Sequence, residues 1–131
     1  MSILPVVAHG KNIIYVDDEK FVFHWTIAKN YSMGFYCAYV GIPESLTIGM
    51  FRKLKNHIDE LYVHGFLTYN ENLDYNITTT MDEETVIVIG WDYGHYDDQS
   101  ISNPGGDPHS IDEIRKECEY AISQIEEILN Y

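Results

Sequence analysis

The chain has 131 residues, which is enough for one domain with a single core and too few for two domains of ordinary size. Hydrophobic residues make up 45% of it, which argues against disorder, and its apolar runs are far shorter than the ~20 residues of a membrane span. Six acids and six bases cancel in residues 1–70, whereas fifteen acids face two bases afterwards, so the net charge of −13 lies in the C-terminal part. Such a surface repels nucleic acid and anionic membranes and is attracted to a basic protein.

The N-terminal part predicts a β-hairpin followed by a third strand. Residues 12–16 form a short strand pattern, residues 17–20 a turn, and residues 21–28 alternate as a second strand. Residues 34–41 predict a third strand. It is closed by Pro43, whose missing N–H excludes it from a central position in a sheet.

The middle of the chain predicts a helix and then three strands. Residues 47–60 place apolar side chains near helical spacing and predict a short helix. Residues 61–69 and 84–91 have the strongest strand patterns, and the second is nearly continuous in Val and Ile, as expected for a central strand covered on both faces. Residues 70–74 are predicted to form a turn that leads into a weaker strand at residues 75–80.

The C-terminal segment predicts a long helix after an exposed loop at residues 100–108. Ser110 is placed to cap the helix and Glu113 to return the hydrogen bond, as in a capping box. An apolar stripe follows at helical spacing: Ile111, Ile114, Cys118, Ala121, Ile122, Ile125 and Leu129. We therefore expect a single α+β domain over residues 1–131, with a mostly antiparallel sheet of about five strands and the long C-terminal helix packed on one face.

The two cysteines and the N-terminal residues bear on the cellular compartment. Cys37 and Cys118 fall in apolar patterns and are predicted to be reduced core residues rather than a disulfide. The first residues lack the basic and apolar regions of an export signal. A cytoplasmic location is therefore expected.

Two short runs carry the residues from which a site can be built. Residues 63–69 put His64 on a predicted strand, and residues 90–98 follow another predicted strand with acid or imidazole side chains at every third position. Two nitrogens and two oxygens are a ligand set within the usual range for zinc. The predicted metal ligands are His64, Asp92, His95 and Asp98.

Other interpretations of these residues stay open. Asp97 is the rival of Asp98 as a ligand, and a polar turn without a metal also accounts for the spacing. An oxygen-only calcium site is a further alternative, with the ligands Asp97, Asp98, Asn103 and Asp107. The remaining histidines are expected to be bystanders: His9, His24, His57 and His109.

The motifs resemble those of a family of small phage and prophage proteins. That family carries a Cys-Gly-Tyr-Val strand, a Val-His-Gly-Gly-Leu-Thr-Tyr run, and a Gly-Phe-Asp-Cys-Ala-His run followed by an acidic residue and a C-terminal helix. The corresponding segments are residues 37–41, 63–69 and 90–95, within a match over roughly residues 34–130. The departures from the family pattern are Ala38, Phe66 and Tyr93. The His, Asp and His positions are kept, and the resemblance strengthens the metal prediction, with zinc as the first choice.

The resemblance and the acidic charge together imply a phage-type anti-defence protein, and we expect an anti-CRISPR inhibitor in the host cytoplasm. The expected partner is a type II CRISPR effector nuclease. Such nucleases hold nucleic acid in positively charged channels, which an acidic domain can occlude and so block DNA loading. The expected zinc is a single structural ion, and no catalytic residue is predicted.

Two other classes of function stay open. One is a small metal-dependent hydrolase that uses the same His/Asp site with an open metal position and with Asp97 or Glu84 as base. The absence of His-Glu-x-x-His, Gly-x-Ser-x-Gly and phosphate-loop motifs favours the non-enzymatic interpretation. The other class is a structural accessory protein with no chemistry of its own.

Overall fold

The computed structural model describes residues 5–65, 67, 69–72 and 85–131, and over 69–72 and 85–87 it describes the backbone alone. The weaker strand predicted at residues 75–80 lies outside the described residues, as do Phe66 and Thr68 of the first candidate run.

A long β-hairpin opens the fold, as predicted. Strand β1 (Val6–Val16) pairs antiparallel with strand β2 (Glu19–Asn30), and the two-residue turn between them is Asp17-Asp18. Both turn residues have positive φ, 51° and 66°, which is the conformation that a two-residue hairpin turn of type I′ requires. Asp is among the residues that tolerate this conformation, so the turn sequence fixes the hairpin register.

The remaining strands complete an antiparallel sheet. Strand β3 (Phe35–Pro43) pairs with β2 and with β5 (Thr85–Asp92), and the four-residue β4 (Tyr69–Asn72) pairs with β5 at the edge. The strand order is β1-β2-β3-β5-β4. Successive residues 88–91 of β5 are all buried, so this strand is covered on both faces, as its continuous apolar sequence predicted.

The longer of the two described helices lies on the sheet, and the shorter helix packs against the longer one. Helix α1 (Ile48–His57) continues as a 3₁₀ turn at Ile58–Glu60, and helix α2 (Ile111–Asn130) packs against β1, β2, β3 and α1. The buried residues of α2 are Ile114, Cys118, Ala121, Ile122, Ile125 and Leu129. The predicted α+β class with an antiparallel sheet and a long C-terminal helix is confirmed. Neither described helix is long and apolar enough to cross a membrane.

The prediction of a strand over residues 61–69 is wrong for its first part. Leu61, Tyr62 and Val63 alternate between buried and exposed as strand residues do, but they belong to none of the described strands, and His64 and Gly65 form a turn. The predicted turn at residues 70–74 is also wrong where it is described, because residues 69–72 form β4.

Side chains of α2 bond to the backbone of this segment. The Tyr62 N–H donates to Gln124 Oε1 at 2.8 Å, and Gln124 Nε2 donates to the Tyr62 carbonyl at 2.9 Å. The His64 N–H donates to Glu117 Oε1 at 2.7 Å. An extended backbone needs partners for its polar groups but not a neighbouring strand, and here the helix supplies them.

Candidate metal centre

Three parts of the chain converge at one end of β5. They are the 61–65 segment, the loop at residues 93–99 that follows β5, and the residues that lead into α2. The loop stays close to the sheet because the Tyr93 N–H donates to the Tyr36 carbonyl at 2.9 Å. The Asp98 N–H donates to the His95 carbonyl at 2.9 Å, so the chain turns back immediately after His95.

The Asp98 carboxylate is the centre of the site and is only 2% exposed. Its two oxygens lie 2.9 and 2.8 Å from His64 Nε2, and Oδ1 lies 2.7 Å from His109 Nε2. The backbone N–H of His95 donates to Oδ2 at 2.9 Å. A buried charge is stable only when it is paired and hydrogen-bonded, and Asp98 meets both conditions.

These contacts shift the protonation equilibria of the site. Burial by itself raises the pKa of Asp98, but the hydrogen bonds from His64, His95 and His109 outweigh it, and the pKa falls below its usual range. Burial likewise lowers the pKa of His109, but its contacts with Glu113 and Asp98 outweigh burial and raise that pKa. Both shifts favour a carboxylate and an imidazolium in contact.

His95 is held differently from the other two imidazoles. Its Nε2 is buried and makes no hydrogen bond with any described residue, and Asp92 Oδ1 lies 3.7 Å from it. The ring fits against Gly65, where a Cβ atom would lie 2.0 Å from Nε2, and Gly65 has a positive φ of 67°. An orphaned buried nitrogen costs about 1–3 kcal/mol, so its presence beside a carboxylate cluster calls for a ligand.

Tyr93 forms the aromatic floor of the site. Its ring stacks on His64 with a centroid separation of 4.6 Å and lies 4.9 Å from the ring of His109. The Tyr93 hydroxyl donates to Glu117 Oε1 at 2.8 Å and accepts from Trp91 Nε1 at 3.0 Å. Burial is the main cause of a raised Tyr93 pKa, so the hydroxyl stays protonated and ties β5 to α2.

The structure brings together three of the four predicted ligands. His64, His95 and Asp98 each place a ligand atom within 4.8 Å of the other two. Asp92 lies at the margin, because its Oδ1 accepts the Gly94 N–H at 2.9 Å. That the four residues hold a metal stays a prediction.

Sequence reasoning missed His109, which was expected to be a bystander. Its Nε2 contacts Asp98, its Nδ1 lies 2.6 Å from Glu113 Oε2, and its ring centroid is 4.8 Å from that of His64. Glu113 therefore uses its carboxylate on His109, although Ser110 does accept the Glu113 N–H as the predicted helix cap. The four-residue spacing of His109 and Glu113 was the available signal, since such pairs meet on one side of a helix start.

An open cleft adjoins the cluster at His95. It has a volume of about 520 Å³, and its lining includes His95, Asp97 and Asp107. Three residues of the alternative calcium set, Asp97, Asn103 and Asp107, line this cleft, but the fourth does not join them. Asn103 donates its amide to the carbonyls of Tyr96 and Asp98, while the Asp98 carboxylate faces the imidazoles.

Comparison of the chain with protein-family models, with curated proteins and with solved structures finds no match.

Proposed function

We propose that this protein is a small zinc-stabilised domain that acts by binding another protein, and that the metal holds the fold rather than catalyses a reaction. One observation is the main support for a metal site. His64, His95 and Asp98 come from two separate segments and still place their ligand atoms within 4.8 Å of one another. Convergence of this kind is what a metal site requires of its scaffold.

The residues fit zinc chemically. Imidazole nitrogen and carboxylate oxygen are both ordinary zinc ligands, and the buried His95 Nε2 without a hydrogen bond offers a donor that a metal would satisfy. In the metal-free protein, an imidazole nitrogen facing an ionised carboxylate must carry a proton, and metal binding displaces such protons. The site also ties the 61–65 segment to the loop after β5, so an ion there would contribute to folding stability.

Metal analysis of the purified protein tests this proposal. We expect close to one equivalent of zinc per chain, lost in His64→Ala and in His95→Ala and retained in His9→Ala, which changes an exposed histidine on β1. Chelation should lower the melting temperature of the wild type. A protein that carries no metal after growth with zinc, and whose melting temperature is the same with and without chelator, would contradict the proposal.

The charge distribution supports a basic protein partner. Both bases of the C-terminal part are already engaged, since Arg115 pairs with Asp112 and Glu119, and Lys116 pairs with Asp112. Among the described residues of this part, the exposed acids Asp97, Asp107 and Glu127 form no ion pair with a base. We propose that the partner is a type II CRISPR effector nuclease, whose basic nucleic-acid channel attracts such a surface, and that binding blocks DNA loading. The phage-like motifs point the same way.

The structure limits which acids can take part in such an interface. Glu113 binds His109 and Glu117 binds Tyr93, while Glu126 Oε2 accepts the Tyr15 N–H at 2.8 Å. These three carboxylates support the fold and the site, so reversing them would disturb both. Exposed acids without these duties are Asp97, Asp107 and Glu127.

Binding to a purified, guide-loaded effector tests the partner. Affinity should fall as salt rises, because the Debye length shrinks from ~10 Å at 0.1 M to ~3 Å at 1 M. The double variant Asp107→Lys/Glu127→Lys should bind roughly tenfold more weakly with its zinc content unchanged. A matched control, Glu44→Lys/Asp59→Lys, makes the same change of net charge in the electrically balanced N-terminal part. Equal effects of the two variants, or no binding by the wild type, would contradict this partner.

A metal-dependent hydrolase is the second candidate, and the cleft beside His95 favours it. A catalytic zinc has three protein ligands and an open position, and the acids Asp97 and Asp107 line the cleft next to that site. Azide added to the cobalt-substituted protein would change its visible absorption only if such a position exists. An unchanged spectrum would eliminate the hydrolase and leave the structural ion.

A further inference from the structure

We infer that His109 is the fourth ligand of the zinc, in the place assigned to Asp92 by the sequence pattern, and that Glu113 is the outer carboxylate that orients the His109 ring. The inference rests on the proposed metal site and makes it more specific. It replaces a set of two imidazoles and two carboxylates by a set of three imidazoles and one carboxylate.

Two imidazoles converge on one oxygen of Asp98. His109 Nε2 lies 2.7 Å from Asp98 Oδ1, and His64 Nε2 lies 2.9 Å from the same atom. Each of these contacts needs a proton between nitrogen and oxygen, because an ionised carboxylate can only accept. A divalent ion displaces such protons and draws the nitrogens and the carboxylate to itself, so the donors that meet at Asp98 are those that the ion would collect.

A carboxylate contacts the far side of the His109 ring. A metal-bound histidine almost always donates its other ring N–H to a carboxylate or carbonyl, which fixes the tautomer and the orientation of the ring. His109 Nδ1 lies 2.6 Å from Glu113 Oε2, which leaves Nε2 directed at the centre of the site. Outer carboxylates of this kind strengthen a metal site as well as orient it.

The His109 ring is also shielded from solvent. The His109 side chain is 15% exposed, against 29% for His64 and 36% for His95. Its ring also contacts both Tyr93 and His64. The side chain that sequence reasoning set aside is thus the best enclosed of the three imidazoles, and a preorganised ring loses little entropy when it binds.

Asp92 is engaged in a different way. Its Oδ1 accepts the Gly94 N–H at 2.9 Å and so shapes the start of the loop that carries His95. The same atom lies 3.7 Å from His95 Nε2. Neither Asp92 nor His109 belongs to the group of three residues whose ligand atoms all lie within 4.8 Å of one another, but His109 contacts the buried Asp98 carboxylate of that group at 2.7 Å. We assign it to positioning the loop. Four protein ligands also make a closed site, which agrees with a structural ion.

Zinc K-edge X-ray absorption of the loaded wild-type protein tests the inference, because it counts imidazole ligands without any substitution. Three imidazoles are expected. Two imidazoles would overturn the inference while leaving the metal site intact. A wild-type protein that takes up no zinc would overturn the metal site and this inference together, so the two failures are distinguishable.

Zinc affinity in three variants supplies the second measurement. His109→Ala should weaken binding by roughly a hundredfold or more, and Glu113→Gln by roughly tenfold to a hundredfold. Asp92→Asn, the matched control, should change the affinity by less than about threefold, since an amide oxygen can still accept the Gly94 N–H. The inference is overturned if Asp92→Asn costs more than His109→Ala. Should His109→Ala fold poorly, the imidazole count of the wild type still decides.

Discussion

Gly65 is the residue on which the position of His95 depends. It adopts a φ of 67°, a region that costs other residues about 1–2 kcal/mol, and its missing side chain leaves the space that the His95 ring fills. A glycine permits such a close approach because it has no side chain. The structure identifies the group that approaches, which no spacing pattern reveals.

Substituting Gly65 by Ala should disrupt the site in the folded protein. A Cβ atom there would lie 2.0 Å from His95 Nε2, so the ring must move away from Asp98, and the positive φ adds strain. We expect zinc affinity to fall roughly tenfold or more. Gly105→Ala is the control, because a Cβ atom at that position meets nothing within 4 Å. Isothermal titration with zinc gives both values, and equal affinities would show that the contact with Gly65 does not position His95.

The candidate site could be predicted in part, and the missing part has a physical cause. His95 and Asp98 are three residues apart and meet through one turn of chain, which a spacing pattern captures. His109 reaches the same carboxylate across eleven positions, after a loop whose path depends on backbone hydrogen bonds such as the one from Gln99 N to the Asp107 carbonyl. Contacts made by an irregular loop leave no periodic trace in a sequence.

Helix α2 is the element that connects the core to the site. Its buried stripe covers the sheet, while Glu113, Glu117 and Gln124 on its flank hold His109, Tyr93 and the 61–65 segment. The same helix therefore buries apolar side chains against the sheet on one face and provides hydrogen-bond partners for the site on the adjacent face. Loss of its packing should remove both the fold and the metal site.

The apolar stripe of α2 allows a direct measure of this packing. Ile125 is fully buried, so Ile125→Ala should lower the free energy of unfolding by ~2–5 kcal/mol through lost burial and a residual cavity. Ile111→Ala is the matched control, since Ile111 is 37% exposed at the start of the same helix and should lose much less. Urea denaturation measures both. Similar losses for the two variants would mean that α2 does not pack on the sheet through this stripe.

Elements whose own residues show a periodic pattern were predicted correctly. A segment whose hydrogen-bond partners lie far away in the sequence was not. The stripe of α2, the alternation in β2 and the continuous apolar run of β5 each follow from the period of one element. Leu61 and Val63 show the same alternation, yet their segment bonds to Gln124 and Glu117, which lie more than fifty positions away. Burial of one side of the segment explains the alternation of apolar and polar residues. Whether the segment is part of a sheet depends on which groups bond to its backbone.

At the scale of the whole molecule, the site couples stability to pH in opposite directions with and without metal. In the metal-free protein the pKa of His109 is raised by Glu113 and Asp98, which outweigh burial. A raised folded-state pKa contributes stability that is complete below the ordinary histidine value of ~6.5 and is lost as pH rises through the higher folded-state value. In the zinc-bound protein the ligands must be deprotonated, so the metal contributes stability at high pH that is lost as protons compete.

Unfolding of the zinc-loaded and chelated proteins between pH 8 and pH 6 should therefore give opposite trends from this site. Acidification should destabilise the loaded protein, and a metal present at 1,000 times its dissociation constant contributes ~4.1 kcal/mol that can be lost. Acidification should stabilise the chelated protein through His109. Because other groups also titrate in this range, the trend is read as a difference from His109→Gln, which lacks the titrating ring. If the free energy of unfolding changes with pH equally in the chelated wild type and the chelated variant, His109 is not held between the two carboxylates in solution. If the loaded protein is as stable at pH 6 as at pH 8, histidines do not bind the metal.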